Sequence, residues 1–158
     1  MKNTLIFSLI LFTLLAACAP PAAGPDVSQN GIEIYQARVP VPGGMSTDEH
    51  MDMPMGINLA AFMSIKNASA TSDRLLSVSV DFADAQIHET RMDGDLMQMF
   101  EVTGIDIPAG QTVELKPGSF HIMLINPMKN LQVDDTVNLT LEFEKAGTII
   151  VPAQVIER

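Results

Sequence analysis

The segment VNLTLEFE (residues 137–144) alternates apolar and polar side chains without interruption. Successive side chains of a strand point to opposite faces, so Val137, Leu139, Leu141 and Phe143 share one face. This alternation is typical of a strand in an antiparallel sheet that has one face in a core and one in water. The segment therefore predicts a half-buried β-strand.

The same period recurs along the rest of the chain. Residues 58–66 and 76–82 alternate in this way, with Leu76 and Val78 among the predicted core-facing residues, and residues 148–156 form a last apolar run. Gly, Pro, Asn and Asp separate the runs, and no long stretch has the helical period. About nine short strands at this spacing predict an all-β domain, an antiparallel β-sandwich or Greek-key barrel.

Asp93-Gly94 lies between two short strand-like runs and indicates a two-residue type I′ turn. With these residues as the loop, counting outward places His88 directly opposite Met99. A four-residue loop with the same centre keeps this register, whereas a three- or five-residue loop shifts it. Directly opposed side chains share a face with Cβ atoms roughly 5 Å apart, so an imidazole and a thioether can converge on one ion.

A second pair of candidate ligands lies in His121-Ile122-Met123, where the period of two places His121 and Met123 on one side of a strand. Thioether sulfur together with imidazole suits Cu(I) and is a poor ligand set for Zn²⁺, Mg²⁺ or Ca²⁺. His88, Met99, His121 and Met123 are therefore candidate ligands of one copper ion, with Cu(I) the first choice and Cu(II) the second. Bringing the two pairs together requires a strand pairing that the spacing does not specify.

The four candidate ligands resemble the motif of the periplasmic copper chaperones of the PCuAC type. That motif runs His, ten residues, Met, twenty-one residues, His, one residue, Met, and the chain matches every ligand position. The resemblance covers residues 32–155 and departs from the family's pattern at Ser119 and at residues 125–127. Its other matching segments are Ile87-His88-Glu89, Ile107-Pro108-Ala109-Gly110, Lys116-Pro117-Gly118 and Ala146-Gly147.

The resemblance implies a cupredoxin-like β-sandwich and a function. Members of the family carry Cu(I) outside the cytoplasm and hand it to the binuclear copper centre of a respiratory oxidase, directly or through a thiol copper chaperone. Copper buffering or resistance is the rival function for the same site. A redox cupredoxin ranks lower, because a blue-copper centre needs a Cys thiolate and Cys18 is the only Cys. The sequence has no nucleophile elbow or Cys-His pair, so we do not expect an enzyme. We expect the copper carrier to be a monomer.

The amino terminus has the layout of a bacterial lipoprotein signal. Met1-Lys2-Asn3 precedes an apolar run from Thr4 to Leu15, which is too short to span a bilayer as a helix. Leu15-Ala16-Ala17-Cys18 resembles a lipobox, in which the Cys is lipidated. The alternative for Cys18 is an ordinary buried thiol.

These features divide the chain into three parts. We expect residues 1–17 to be the signal peptide, residues 18–30 to be a Pro- and Gly-containing tether, and residues 31–158 to be the copper-binding β domain. The lipid on Cys18 would hold the domain on the periplasmic side of the inner or the outer membrane.

The net charge of the chain is −10, and loss of Lys2 with the leader makes it −11. Such an acidic protein is unsuited to binding nucleic acid, whose phosphates attract Lys and Arg. An acidic surface instead attracts cations and basic protein partners.

A second cluster of soft ligands occupies residues 45–55, which contain four Met, one His and three carboxylates. Thioethers suit transient capture of Cu(I), while His50 and the acids suit Cu(II). The alternative is a solvated loop whose Met side chains cover the edge of the core. The candidate ligands of this second site are His50, Met51, Met53 and Met55.

Overall fold

A computed structural model describes residues 24–42, 57–94 and 96–158 of the chain. Within these ranges it contains eleven strands and no helix, which confirms the all-β prediction. The described segments accordingly offer no helix that could cross a bilayer. In chain order the strands are β1 (Val27–Gln29), β2 (Ile32–Val41), β3 (Leu59–Asn67), β4 (Asp73–Ser79), β5 (Asp84–Asp93), β6 (Leu96–Glu101), β7 (Ile105–Ile107), β8 (Thr112–Leu115), β9 (Phe120–Ile125), β10 (Thr136–Phe143) and β11 (Gly147–Glu157).

The strands form one continuous hydrogen-bonded path in the order β6-β5-β9-β8-β3-β2-β11-β10-β4-β7. β1 adds to β2, and β9 also pairs with β3. Most pairings are antiparallel, as expected, but β11 runs parallel to β2 and β8 runs parallel to β9. The second of these arises because β8 and β9 follow one another along β3, each antiparallel to it.

Alternation places the core where the sequence predicts it. Val137, Leu139, Leu141 and Phe143 of β10 are all buried. In β3 every second residue is buried, from Leu59 through to Asn67. The apolar faces of the strands therefore pack against one another in a single core cluster.

The strand β4 departs from simple alternation. Leu76 is exposed and its neighbour Leu75 is fully buried, so the prediction that Leu76 faces the core is wrong. The reason is a register shift in the β4–β10 pairing, where Glu142 lies opposite Ser77 but Phe143 lies opposite Leu75. Leu76 is the extra residue of a β-bulge, which turns its side chain out of the core.

The described strands begin before Gly31, inside the segment predicted as tether. β1 pairs with the start of β2, with Val27 opposite Ile34. The Asp26 carboxylate accepts a hydrogen bond of 2.8 Å from the Ala37 backbone N–H, at a distance of eleven residues along the chain. These contacts attach residues 26–29 to the β domain.

Candidate metal centre

The pairing of β5 with β9 brings the two candidate histidines together. His88 of β5 lies directly opposite His121 of β9, and their ring centroids are 5.9 Å apart. The adjacent pair, Ile87 opposite Ile122, is buried in the core. Because side chains alternate across a strand, both imidazoles lie on the other face of the sheet from this core pair.

Met99 lies beside this histidine pair in a register different from the predicted one. The structure pairs His88 with Glu101 and Met99 with Thr90, so the prediction that Met99 lies opposite His88 is wrong. The cause is the turn: Asp93 pairs with Leu96, which centres the connection one residue later than an Asp93-Gly94 loop. Gly94, with φ of +63°, takes the first central position, where both type I′ and type II′ turns need a positive φ.

The displaced register still leaves Met99 on the histidine face. A register change of two residues preserves the face, because side chains alternate with a period of two. Met99 becomes a diagonal neighbour of His88, and diagonal side chains roughly 7–8 Å apart remain within reach when they are long. Met99 is 58% exposed, so its thioether has room to move.

Met123 completes the set on the same face. It lies two residues beyond His121 in β9 and directly opposite Gln86 of β5. Its half-buried side chain borders a groove that Pro117 and Phe62 also line. Met99, His88, His121 and Met123 therefore lie on one face of three neighbouring strands, β6, β5 and β9.

A tight turn orients the His121 ring. This turn, of type II, consists of Lys116-Pro117-Gly118-Ser119, with Pro117 at the second position and Gly118 at the third, where its φ is +77°. The Ser119 N–H closes the turn by donating a 3.1 Å hydrogen bond to the Lys116 carbonyl. The turn presents the Ser119 carbonyl, which accepts a 3.0 Å hydrogen bond from His121 Nδ1 and a 3.1 Å bond from the Thr90 N–H. A proton on Nδ1 leaves the Nε2 lone pair of the neutral ring available to an ion.

Ser119, which departs from the motif, takes part in this contact through its backbone. Its backbone carbonyl, and not its side chain, holds His121. The departure from the family's usual residue at this position therefore leaves the orienting hydrogen bond in place.

His88 presents its ring differently. Its Nε2 donates to the Gln86 side-chain oxygen over 2.9 Å, so that Nδ1 carries the lone pair. Among the described residues, His88 Nδ1 is the one buried side-chain nitrogen or oxygen without a hydrogen-bond partner. An unpartnered buried lone pair is costly unless it serves a purpose such as binding an ion.

The surroundings of His88 favour the neutral ring that a metal needs. Burial lowers the pKa of His88, and the neighbouring His121 lowers it further, while Glu101 acts in the opposite direction. A neutral imidazole keeps its lone pair free of protons and ready to coordinate an ion.

Sequence reasoning overlooked two groups that support the histidines, the Gln86 amide and the Ser119 carbonyl. Gln86 could have been identified, because it lies two residues before His88 and therefore on the same face of β5. The Ser119 contact depends on how the turn carries the chain into β9, which spacing does not reveal.

The four candidate ligands form a soft donor set of two imidazoles and two thioethers. Across residues 24–42, 57–94 and 96–158 there is no group of three or more His, Cys, Asp or Glu side chains placed to hold a metal. Cys18 and the second candidate site, His50, Met51, Met53 and Met55, lie outside the described residues.

Solved structures with a similar fold include copper-binding domains. The copper-bound PCuAC domain from PmoF2 is 25% identical, with a TM-score of 0.64, over 84% of this chain and 97% of that one. The Cu(I)-bound solution structure of DR1885 from Deinococcus radiodurans is 27% identical, with a TM-score of 0.58, over 77% of this chain and 76% of that one. The fold expected from the resemblance to PCuAC domains is thus confirmed.

Sequence comparison identifies a relative that is described as a lipoprotein. "Putative lipoprotein Lxx21020" of Leifsonia xyli subsp. xyli is 28% identical over 152 residues, which span 94% of this chain and 84% of that protein. The family model described as "Putative lipoprotein LpqE-like" matches residues 32–155. The family name therefore differs from that of the PCuAC domains which the chain resembles in fold and motif. With its β-sandwich and a match that covers most of its length, the chain belongs to the LpqE-like lipoprotein family.

Proposed function

We propose that the protein is an extracytoplasmic copper metallochaperone that binds Cu(I) through His88, Met99, His121 and Met123. The observation that carries the proposal is the pairing of His88 with His121 on adjoining strands, with both methionines on the same face. The similarity to copper-bound PCuAC structures supports it. Lipidation of Cys18 would anchor the protein outside the cytoplasm, as the lipoprotein relative and the family description suggest.

The donor set suits a carrier better than a permanent copper site. Neutral thioethers bind Cu(I) without having to lose a proton, so their hold on the ion does not depend on pH as that of thiolates does. The exposed Met99 gives an incoming ligand access to the ion, while buried His121 is fixed by Ser119. One exposed ligand and one ligand held by a hydrogen bond permit stepwise exchange of the ion.

The destination of the copper is the binuclear centre of a respiratory oxidase, reached directly or through a thiol chaperone. Deleting the gene should lower the oxidase activity of cells grown at limiting copper, and added copper should restore it. The measurement is oxygen consumption by membranes from the two strains, with copper content per oxidase as the second readout. Complementation with a variant that carries alanine at positions 88 and 121 is the matched control and should fail to restore activity.

Copper buffering is the alternative that the same site would support. In that case the deletion strain would be sensitive to excess copper, and its oxidase activity at limiting copper would be normal. Such a result would contradict delivery while leaving copper binding intact.

A second copper site at His50, Met51, Met53 and Met55 is part of the proposal, on the strength of its soft ligands alone. Replacing Met51, Met53 and Met55 with Leu keeps the apolar volume and removes the sulfur atoms. We expect this variant to bind less Cu(I) per protein than the parent when copper is counted after gel filtration. An unchanged copper count would contradict the second site.

A further inference from the structure

The tip of the β5–β6 hairpin carries three large exposed apolar side chains on the histidine face. Met92, Met97 and Met99, here called the hairpin methionines, are 61%, 70% and 58% exposed. Scattered exposed apolar residues are ordinary, but a contiguous group of them on one face marks a surface with a binding role.

The observed register groups the hairpin methionines. Met92 lies directly opposite Met97, and the next pair on the same face is Thr90 opposite Met99. Met97 and Met99 are two residues apart in β6 and so point to the same side. Met99 therefore lies between the Met92–Met97 pair at the tip and His88 further down the hairpin, and His88 in turn lies opposite His121 of β9.

Sulfur, and not apolar character alone, distinguishes this face of the hairpin. The described strand residue next to the turn on the opposite face is Leu96, which is 66% exposed and carries no sulfur. On the histidine face all three exposed apolar positions of the hairpin are Met. Thioethers are soft ligands that suit Cu(I) and, like neutral imidazoles, bind it without carrying a charge.

We propose that Met92, Met97 and Met99 form a second, weaker Cu(I) position at the hairpin tip, through which the ion enters and leaves the His88–His121 centre. The proposal rests on the copper-carrying function proposed above and adds the route that the ion takes. Met99 belongs to both positions and passes the ion between them by ligand exchange. The ion remains Cu(I) throughout, since each step within the protein exchanges one neutral ligand for another and transfers no electron or proton.

The position of the hairpin in the sheet fits this role. β6 is the end strand of the path and has β5 as its neighbour, so the tip is accessible to a partner protein. An acceptor with its own thioethers or thiolates could reach Met92 and Met97 before it reaches the histidines. The buried His121 would then be the last ligand to release the ion.

The binding site can be tested by following methionine methyl groups. Full-length protein labelled with ¹³C at the methionine methyls is titrated anaerobically with Cu(I), and each signal is assigned by a Met→Leu variant. We expect the first equivalent to shift the Met99 and Met123 signals, and the second to shift those of Met92 and Met97. The signals of the methionines in residues 45–55 report separately on copper bound there.

The route can be tested by transfer kinetics. M92L/M97L keeps the apolar surface, removes both sulfur atoms and retains all four ligands of the main centre. This variant should bind the first Cu(I) ion with the affinity of the parent and bind the second at least about tenfold more weakly. It should also transfer Cu(I) on the order of tenfold more slowly to a chelator that becomes coloured when it binds Cu(I). Met128→Leu is the matched control, since Met128 is 83% exposed and lies outside the hairpin, and its transfer rate should equal that of the parent.

The outcomes separate this proposal from the function on which it rests. If Met92 and Met97 signals stay fixed at two equivalents of Cu(I), or if M92L/M97L transfers copper at the parent rate, the hairpin route is wrong and the copper carrier stands. If the first equivalent leaves the Met99 and Met123 signals and the histidine ring signals fixed, the main centre itself is wrong.

Discussion

Replacing both His88 and His121 with alanine is expected to abolish tight Cu(I) binding. The two rings are opposed, with centroids 5.9 Å apart. His88 Nδ1 has no hydrogen-bond partner among the described residues, and His121 Nε2 carries the lone pair when Nδ1 donates to the Ser119 carbonyl. Loss of a residue that merely supports a metal ligand costs roughly 10- to 100-fold in affinity, so loss of one histidine should cost at least about 100-fold. The measurement is competition for Cu(I) with a chromophoric chelator, for each single variant and for the double variant.

The control for this prediction is Thr90→Ala. Thr90 lies on the same face, opposite Met99, but its side chain is no ligand for Cu(I). The Cu(I) affinity of the Thr90→Ala variant should stay within about threefold of the parent value, since this substitution removes no atom that binds the ion. Each apo variant is also unfolded with urea, because His121 is buried and its loss leaves a small cavity. Parent-like affinity in the folded double variant would place the copper elsewhere and would contradict the proposed centre.

Gly104→Ala is expected to destabilise the domain by about 3–5 kcal/mol, through backbone strain and overpacking together. Gly104 has φ of +145°, and a Cβ there would lie 2.5 Å from the Leu75 carbonyl oxygen. The clash lies next to a buried strand pairing, since Leu75 of β4 lies opposite Ile105 of β7. The urea midpoint should fall with an unchanged slope, and the melting temperature should drop by about 10 °C or more.

Gly110→Ala separates the steric clash from the backbone strain. Gly110 has a positive φ of +69°, but a Cβ at this position meets nothing within 4 Å. Only the left-handed conformation is then penalised, at about 1–2 kcal/mol. Equal losses of stability in the two variants would show that contact with the Leu75 carbonyl contributes nothing.

Those parts of the candidate centre that depend on the geometry of a single strand were predictable from the sequence. Strand periodicity places His121 and Met123 on one face, and the structure agrees. The turn was predicted one residue too early, so Met99 pairs with Thr90 and not with His88. The face of Met99 was still right, because an error of two residues in register restores the alternation. The predicted register also puts Met92 and Met97 on this face as diagonal neighbours, and the observed register puts them directly opposite each other.

What the sequence by itself determined was local: the strands β3 and β10, the shared face of His121 and Met123, and the candidate soft ligands. The strands and the shared face follow from side-chain alternation, and the candidate ligands follow from the chemistry of imidazole and thioether groups. Tertiary structure alone decided three features: the pairing of β5 with β9, the parallel pairing of β2 with β11, and the bulge at Leu76. The first of these brings His88 to His121 across more than thirty intervening residues. The physical reason is that pairing between distant strands depends on how all the apolar faces close around one core, and no short window of sequence contains that information.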